Sequence, residues 1–329
     1  MLVANLSTSY MGLPLKNPFI VSSSGLTQSI QGIERSQKAG AGAVVLKSLF
    51  EEQIDFELKA EQDLGEVAVH PEAELYIRQM GKQIGPNEYL ELIRTSKSRV
   101  DIPVIASVNC VSPKWWTNWA RQLQDAGADA IELNVALMPR GLDERAEEIE
   151  ARVLKIVGAV LGEVSLPVAV KLGPYFTSLP RLSAELARRG VKALVLFNRF
   201  YQLDIDVTEM ELVPGYQFST SSEIYQSLRW ISILQGQIGC ELAASTGVHE
   251  PADAVKLLLA GANAVQVCSS LYAQGYEHLG TLAKGLSEWM DAKRFESIEQ
   301  FRGRLSQAAS ANPEQYERLQ YIKALTGVA

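Results

Sequence analysis

Four segments of the chain share one pattern, in which a glycine of the kind that ends helices leads into a short apolar run. These segments are 39–48 (AGAGAVVLKS), 126–134 (AGADAIELN), 189–198 (RGVKALVLFN) and 260–270 (AGANAVQVCSS). Four more apolar runs that end in small or polar residues lie at 18–25, 102–110, 166–173 and 240–247. Segments with helical spacing of apolar residues separate the runs. Apolar runs that alternate with helices are typical of parallel strands buried on both faces.

Eight strand–helix units in a chain of 329 residues predict a (β/α)8 TIM barrel, which we expect to form a single domain over residues 1–329. A doubly wound sheet is the alternative, but the glycine-rich G-x-G-x-x-G turn that often marks such sheets is absent from the sequence. Two segments interrupt the repeat, at 49–86 after the second strand and at 200–220 after the sixth, and the latter alternates like a hairpin. We expect a C-terminal extension, about 297–329, to form short helices.

The charge balance is acidic, with 31 Lys and Arg against 38 Asp and Glu residues and a net charge of −7. This balance argues against a nucleic-acid partner, because binding to phosphate backbones needs a basic surface. The three cysteines and three histidines lack metal-ligand spacing, so no metal site is expected. No apolar run is long enough to cross a membrane and the N-terminus has no signal-peptide pattern, so we expect a cytoplasmic protein.

The active site of such a barrel lies at the carboxyl ends of its strands. The predicted ends carry hydroxyl, amide, thiol and cationic groups, at Ser22–Gly25, Lys47, Ser48, Asn109, Cys110, Asn134, Lys171, Asn198, Arg199, Ser245–Gly247 and Cys268–Ser270. These ends contain no Asp, Glu or His, which disfavours hydrolysis by a general base or a metal-held water. A Schiff base on Lys47 or Lys171, as in aldolases, stays open.

Small hydroxylated residues follow the seventh and eighth strands, at Ser245–Thr246–Gly247 and Cys268–Ser269. Loops at these positions commonly bind phosphate through backbone N–H groups and a helix N-terminus, although a tight turn is the simpler interpretation. Lys47 and Lys171 would then bring positive charge to the barrel mouth. A flavin suits this combination, because its N1/O2 edge favours a cation and its ring edges favour amides.

Several of these pieces, in this order, resemble the dihydroorotate dehydrogenase family in its cytosolic class 1 form. The matching pieces include LPLKNPFIVSSSG (13–25), AGAGAVVLKS (39–48), ADAIELN (128–134), VAVKLGPYF (168–176) and VQVCSSLY (265–272). The resemblance implies FMN over the barrel mouth, an oxidoreductase that acts on CH–CH groups in pyrimidine biosynthesis, and a homodimer. Carried over residue by residue, it implies FMN contacts at Ser23, Ser24, Gly25, Lys47, Ser48, Asn134, Lys171, Asn198, Ser245, Thr246, Gly247, Cys268 and Ser269.

The chain departs from the family pattern on the substrate side. Three residues after Asn134, where the resemblance implies a catalytic Cys or Ser, the chain has Leu137, which cannot accept a proton. Arg78 and Arg199 replace an amide and a hydroxyl. We therefore expect poor activity on dihydroorotate and a small planar or anionic substrate beside these arginines. The candidate catalytic residues are Lys47, Asn134, Asn198 and, as a replacement acid–base, Cys110.

Three functional hypotheses remain open at this point. The favoured one is an FMN-dependent oxidoreductase in which a hydride passes between the substrate and flavin N5. The second is a flavoprotein that transfers electrons or has lost catalysis. The third is a phosphate-binding lyase or isomerase, which would contain no flavin.

Overall fold

The computed structural model describes residues 4–54, 85–112, 116–137, 141–199, 202–215 and 217–327. Its strands, in chain order, are β1 (Thr8–Tyr10), β2 (Leu13–Leu15), β3 (Phe19–Val21), β4 (Ala43–Val45), β5 (Leu49–Phe50), β6 (Val104–Cys110), β7 (Ala130–Val135), β8 (Val168–Leu172), β9 (Ala193–Leu196), β10 (Gln202–Asp206), β11 (Glu211–Gly215), β12 (Glu241–Ser245) and β13 (Ala264–Val267). Eight of them pair in parallel around a ring in the order β3, β4, β6, β7, β8, β9, β12 and β13. The pairing of β13 with β3 and of β4 with β6 closes the ring. The expected (β/α)8 barrel is confirmed.

Helices separate the barrel strands and cover their outer faces. In chain order they are α1 (Ile30–Lys38), α2 (Pro86–Arg99), α3 (Trp116–Asp125), α4 (Ala146–Leu161), α5 (Leu179–Arg188), α6 (Ile224–Leu234), α7 (Pro251–Ala260), α8 (Ser269–Gln274), α9 (His278–Lys293) and α10 (Arg318–Thr326). Gly190 shows why the repeat contains glycine. It follows α5 with a φ of +102°, and its N–H donates to the carbonyl of Ala187 before the chain enters β9.

An antiparallel hairpin of β1 and β2 closes the amino end of the barrel. Tyr10, Met11 and Leu15 are buried there against inward-facing residues such as Ile20 and Val45. The hairpin therefore closes the amino end of the barrel largely with apolar side chains. This hairpin was not predicted from the sequence.

The two predicted insertions occur where they were expected. After β4, strand β5 pairs with the upper part of β6 and residues 51–54 are helical, while 55–84 lie outside the described residues. After β9, strands β10 and β11 form the predicted hairpin. The C-terminal extension contains the 3₁₀ turns Ile298–Gln300 and Pro313–Tyr316 and helix α10.

Two features are absent from the part of the chain that the structure describes. No helix there combines the length and the apolar character needed to cross a membrane. Within the same ranges, no group of three or more His, Cys, Asp or Glu residues is placed to hold a metal ion.

Candidate functional site

A cavity of about 250 Å³ opens at the carboxyl ends of the barrel strands. It is lined by Ser22, Ser23, Lys171, Asn198, Arg199, Gln202, Gly215, Ser219, Ser245, Thr246, Gly247, Val248, Gln266, Cys268 and Ser269. Nine of these were proposed from the sequence as cofactor or substrate contacts: Ser23, Lys171, Asn198, Arg199, Ser245, Thr246, Gly247, Cys268 and Ser269. The structure therefore brings residues from distant parts of the chain to one cavity.

A polar layer lies directly above the apolar barrel floor. Side chains alternate along a strand, so residues two positions after the inward-facing Ala130, Ala169 and Ala264 also point inward. These next residues are Glu132, Lys171 and Gln266, and all three are buried. Each is a polar residue inside an otherwise apolar run, which is the sequence feature that marks Glu132 and Gln266 as site residues.

Lys171 is held in this layer by three partners. Its Nζ donates to the Oε1 of Gln266 at 3.0 Å and to the Oγ of Ser22 at 3.2 Å. It also lies 3.8 Å from the Oε1 of Glu132 in an ion pair whose side chains are 7% and 1% exposed. The amide of Gln266 donates in turn to the Oε2 of Glu132. Lys171 is thus a buried cation that reaches the cavity.

In the described part of the barrel interior, two buried side-chain oxygens form no hydrogen bond. They are the hydroxyl of Tyr10 and the Oε1 of Glu132. Burial and the charges of Glu132 and Glu241 raise the pKa of Tyr10 well above its ordinary value, so this phenol stays protonated.

Amides and hydroxyls occupy neighbouring strand ends. Asn134 and Lys171 are aligned in the pairing of β7 with β8, and the Nδ2 of Asn198 donates to the Oδ1 of Asn134 at 3.1 Å. The Oγ of Ser48 lies 3.0 Å from the Oγ of Ser23 and 2.8 Å from that of Ser107. The two amides therefore form one hydrogen-bonded pair, and the three hydroxyls form a chain. These hydrogen bonds fix the directions of the donors and acceptors that a planar ligand would meet.

The loops after β12 and β13 leave backbone donors unused. Within the described part of the chain, the N–H groups of Gly247, Val248 and Ser269 form no hydrogen bond. Thr246 and Gly247 have φ angles of +78° and +85°, so the backbone of this loop is neither extended nor right-handed helical. Neighbouring backbone N–H groups without protein partners can bind an anion.

The helix after this loop does not contribute its N-terminus as the sequence analysis expected. The carboxylate of Asp253 in α7 accepts from the N–H groups of His249 and Glu250 at 3.1 and 3.0 Å, and from the hydroxyl of Ser221 at 2.8 Å. In the same turn, the N–H of Asp253 donates to the carbonyl of Glu250 at 3.0 Å. An anion in the cavity would therefore meet the loop donors rather than those of α7.

Arg199 lines the cavity, but its charge already has a partner. Its Nε lies 2.9 Å from the Oε2 of Glu223, its Nη2 also donates to that carboxylate, and its Nη1 donates to the carbonyl of Gln217. The two charged side chains are 23% and 34% exposed. The sequence did not predict this pairing, which offsets much of the positive charge expected on the substrate side.

Several predicted residues lie outside the cavity lining. Lys47 points towards Gln28, with 3.5 Å between Nζ and Oε1, and burial lowers the pKa of its ammonium. Ser24 caps the 3₁₀ turn that starts at Gly25, where a Cβ would come within 2.7 Å of the Tyr272 hydroxyl. Ser24 and Gly25 lie in the loop after β3, which also carries Ser23 to the cavity.

The candidate proton-transfer residues are placed only in part. Leu137 is 7% exposed and packs in the main hydrophobic core. The backbone of Cys110 ends β6 and pairs with Val135, but its side chain is outside the described residues. Arg78 and residues 138–140 are also outside them.

A (β/α)8 barrel with a buried lysine, an amide and N–H groups without partners in its carboxyl-end cavity has the features of a site for an anionic ligand. Comparison with known proteins is more specific. The sequence profile described as "Dihydroorotate dehydrogenase" matches residues 5–290. The chain belongs to the dihydroorotate dehydrogenase family.

The similar curated proteins are full-length matches of low identity. The protein named "Dihydroorotate dehydrogenase B (NAD(+)), catalytic subunit" of Thermoplasma acidophilum is 27% identical over 309 residues, which cover 92% of this chain and 99% of that protein. The protein of the same name from Methanocella arvoryzae is 30% identical, with 88% and 94% covered. That from Methanothermobacter thermautotrophicus is 27% identical, with 91% and 97% covered.

Family membership confirms the predicted class of enzyme. Members of this family are flavin-dependent oxidoreductases that act on CH–CH bonds, and FMN is the flavin that they use. The predicted resemblance is likewise confirmed, over nearly the whole chain.

Proposed function

We propose that this chain binds FMN in the carboxyl-end cavity and oxidises or reduces a small anionic substrate other than dihydroorotate. The observation that carries the proposal is the composition of one cavity, in which a buried ammonium and unused N–H groups occur together. A flavin mononucleotide needs both, because its phosphate is anionic and its N1/O2 edge favours a cation.

The residues divide between the two parts of the cofactor. Gly247, Val248 and Ser269 would hold the phosphate through their N–H groups, with the hydroxyls of Ser245 and Thr246 and the thiol of Cys268 nearby. Burial raises the pKa of Cys268, so it stays a neutral thiol and does not repel an anion. The ring would meet Ser23, Lys171 and Asn198, which line the cavity. The other predicted ring contacts lie on neighbouring strand ends outside the lining, namely Ser24, Gly25, Lys47, Ser48 and Asn134.

The substrate side supports a change of substrate. When bound, FMN supplies N5 as the atom that exchanges a hydride with the substrate. A proton acceptor must lie beside the substrate as well, and Leu137 offers none. Arg199, anchored by Glu223, still presents N–H groups to an anion, and Cys110 is the proposed acid–base. These residues, together with Asn198, would select and position the substrate.

An absorption spectrum of the purified protein, followed by anaerobic addition of dihydroorotate, tests this proposal. We expect a flavin spectrum that dihydroorotate does not bleach within minutes. Rapid bleaching would show that the family reaction persists. A protein without flavin after incubation with FMN would contradict the proposal and favour a lyase, for which the lowered pKa of Lys47 makes its amine the candidate nucleophile.

We further propose that the chain forms a homodimer through the β10–β11 hairpin. Leu203, Ile205 and Leu212 lie on one face of the hairpin and are 66%, 57% and 67% exposed, and Ile205 is paired directly with Leu212. Gln202 and Gly215, on the opposite face, line the cavity. An apolar patch on a surface next to the active site is typical of an interface.

Replacing Ile205 by Lys is expected to convert the dimer to a monomer at micromolar concentration, because two copies would bring a charge into the buried patch. Equilibrium sedimentation measures the change. Leu142→Lys is the matched control, since Leu142 is fully exposed elsewhere on the surface. A wild-type protein that is already monomeric, or an equal effect of both substitutions, would contradict the proposed interface.

A further inference from the structure

Glu132 lies in the barrel interior next to the cavity, and the sequence-based set of site residues does not include it. Its carboxylate accepts from Gln266 and pairs with Lys171 at 3.8 Å. With 1% of its side chain exposed, it is among the most buried charged groups of the described chain. Burying a carboxylate is strongly unfavourable unless a cation and hydrogen-bond donors accompany it.

Gln266 links the two charges. Its amide nitrogen donates to Glu132, and its amide oxygen accepts from Lys171 at 3.0 Å and from Ser22 at 3.1 Å. Because Glu132 can only accept and Lys171 can only donate, the amide of Gln266 has one orientation that satisfies both. Glu132 therefore fixes Gln266, and Gln266 together with Glu132 fixes the ammonium of Lys171.

Three of the four hydrogen-bonded residues, Ser22, Lys171 and Gln266, face the cavity in which a ligand would bind. Lys171 and Gln266 line the cavity, whereas Glu132 does not. The negative charge of Glu132 is thus held at a constant distance behind the cation that faces the ligand. A ligand in the cavity experiences the sum of the two charges, and their interaction is strong because both side chains are removed from water.

We propose that Glu132 is a positioning residue of the flavin site, which holds the Lys171 ammonium at the cavity and offsets part of its charge. This inference rests on the proposed function, because it takes FMN as the ligand of the cavity. Reduction adds negative charge to the flavin ring. Glu132 therefore lowers the preference of the site for reduced over oxidised FMN and helps to set the midpoint potential.

The first test needs no flavin. We expect Glu132→Gln and Lys171→Met each to lower the equilibrium constant for folding by roughly a hundredfold or more, because each leaves a buried charge unpaired. The double variant should be more stable than the sum of the two effects implies. Urea unfolding of the four proteins measures this coupling. Glu185→Gln, in an exposed ion pair with Arg188, is the control and should have little effect. Additive single effects would overturn the proposed coupling.

The second test uses the FMN-loaded protein. Glu132→Gln keeps the shape and an acceptor for Gln266 but removes the charge. We expect it to raise the affinity for reduced relative to oxidised FMN about tenfold, which equals a midpoint potential about 30 mV more positive. Glu132→Asp keeps the charge and should shift the potential much less.

The outcomes separate this inference from the proposed function. A wild-type protein that cannot be loaded with FMN would overturn the proposed function and the flavin part of the inference, while the unfolding measurements would still decide whether the charges are coupled. A wild-type protein that binds FMN and a Glu132→Gln variant with an unchanged potential would overturn the inference alone. Equal shifts in the Gln and Asp variants would also overturn it, because they would indicate lost packing rather than lost charge.

Discussion

Dihydroorotate is expected to reduce the flavin of a Leu137→Cys variant about a hundredfold faster than it reduces the flavin of the wild-type protein. General-base catalysis contributes roughly 10²–10⁴-fold, and Leu137 has no atom that accepts a proton. Its position, three residues after Asn134, is where the family resemblance places a Cys or Ser. The rate is measured by anaerobic stopped-flow absorption at the flavin band, with FMN-loaded proteins and saturating dihydroorotate.

Leu137→Ala is the matched control for this substitution. Leu137 is buried in the main core, so both variants remove apolar contacts and both lose stability. Only the Cys variant adds a proton acceptor. Equal rates in the two variants would show that another feature limits the reaction, such as the Arg199–Glu223 pair. Rapid reduction of the wild-type flavin would instead identify a different base, for which Cys110 is the first candidate.

The barrel could be predicted from the sequence because its pattern is local. A strand such as β8 is buried at every position, so it appears in the sequence as a continuous apolar run. A glycine such as Gly190 is needed at the helix end for its positive φ, so it recurs at the same place in the repeat. The hairpin of β10 and β11 could also be predicted locally, because polar and apolar residues alternate along β10.

The closed floor and the charge pairs could not be predicted in this way. Tyr10 is buried against residues from several different strands, such as Ile20 and Val45, so its burial depends on the closed barrel. Glu132 and Lys171 come from different strands, and Arg199 is separated from Glu223 by a hairpin. These pairings depend on strand order and register, which one sequence pattern does not contain.

The same distinction applies to function. Residues that could hold FMN lie at the strand ends, and these positions can be predicted from the strand boundaries alone. Specificity for a substrate depends on how charges near the cavity are compensated. Arg199 is an example, because the sequence predicts a cation and the structure adds the carboxylate of Glu223. The sequence pattern therefore predicts the family, whereas the choice of substrate depends on charge pairings that the pattern does not contain.

Replacing Gly247 by Ala is expected to raise the Kd for FMN at least about tenfold. The substitution should also lower the free energy of unfolding by about 3 kcal/mol or more, which exceeds the usual cost of a strained backbone position. Gly247 has a φ of +85°, which already disfavours any residue with a Cβ. An added Cβ would also lie 2.6 Å from the backbone nitrogen of Ile224, at the start of α6. Because the Cβ is fixed to the loop backbone and the nitrogen belongs to the backbone of α6, the loop must shift and carry its N–H groups away from the phosphate position. Fluorescence titration with FMN and urea unfolding measure the two effects.

Gly190→Ala separates the backbone cost from the displacement of the loop. Gly190 has a φ of +102°, but no atom lies within 4 Å of the position that its Cβ would take. The control should lose only the stability expected for an unfavourable φ, and its Kd for FMN should stay within about twofold of the wild-type value. If Gly247→Ala bound FMN as tightly as the control, the N–H groups of this loop would not be phosphate ligands. The phosphate would then have to be bound elsewhere, which would remove the main support for the flavin site proposed in this cavity.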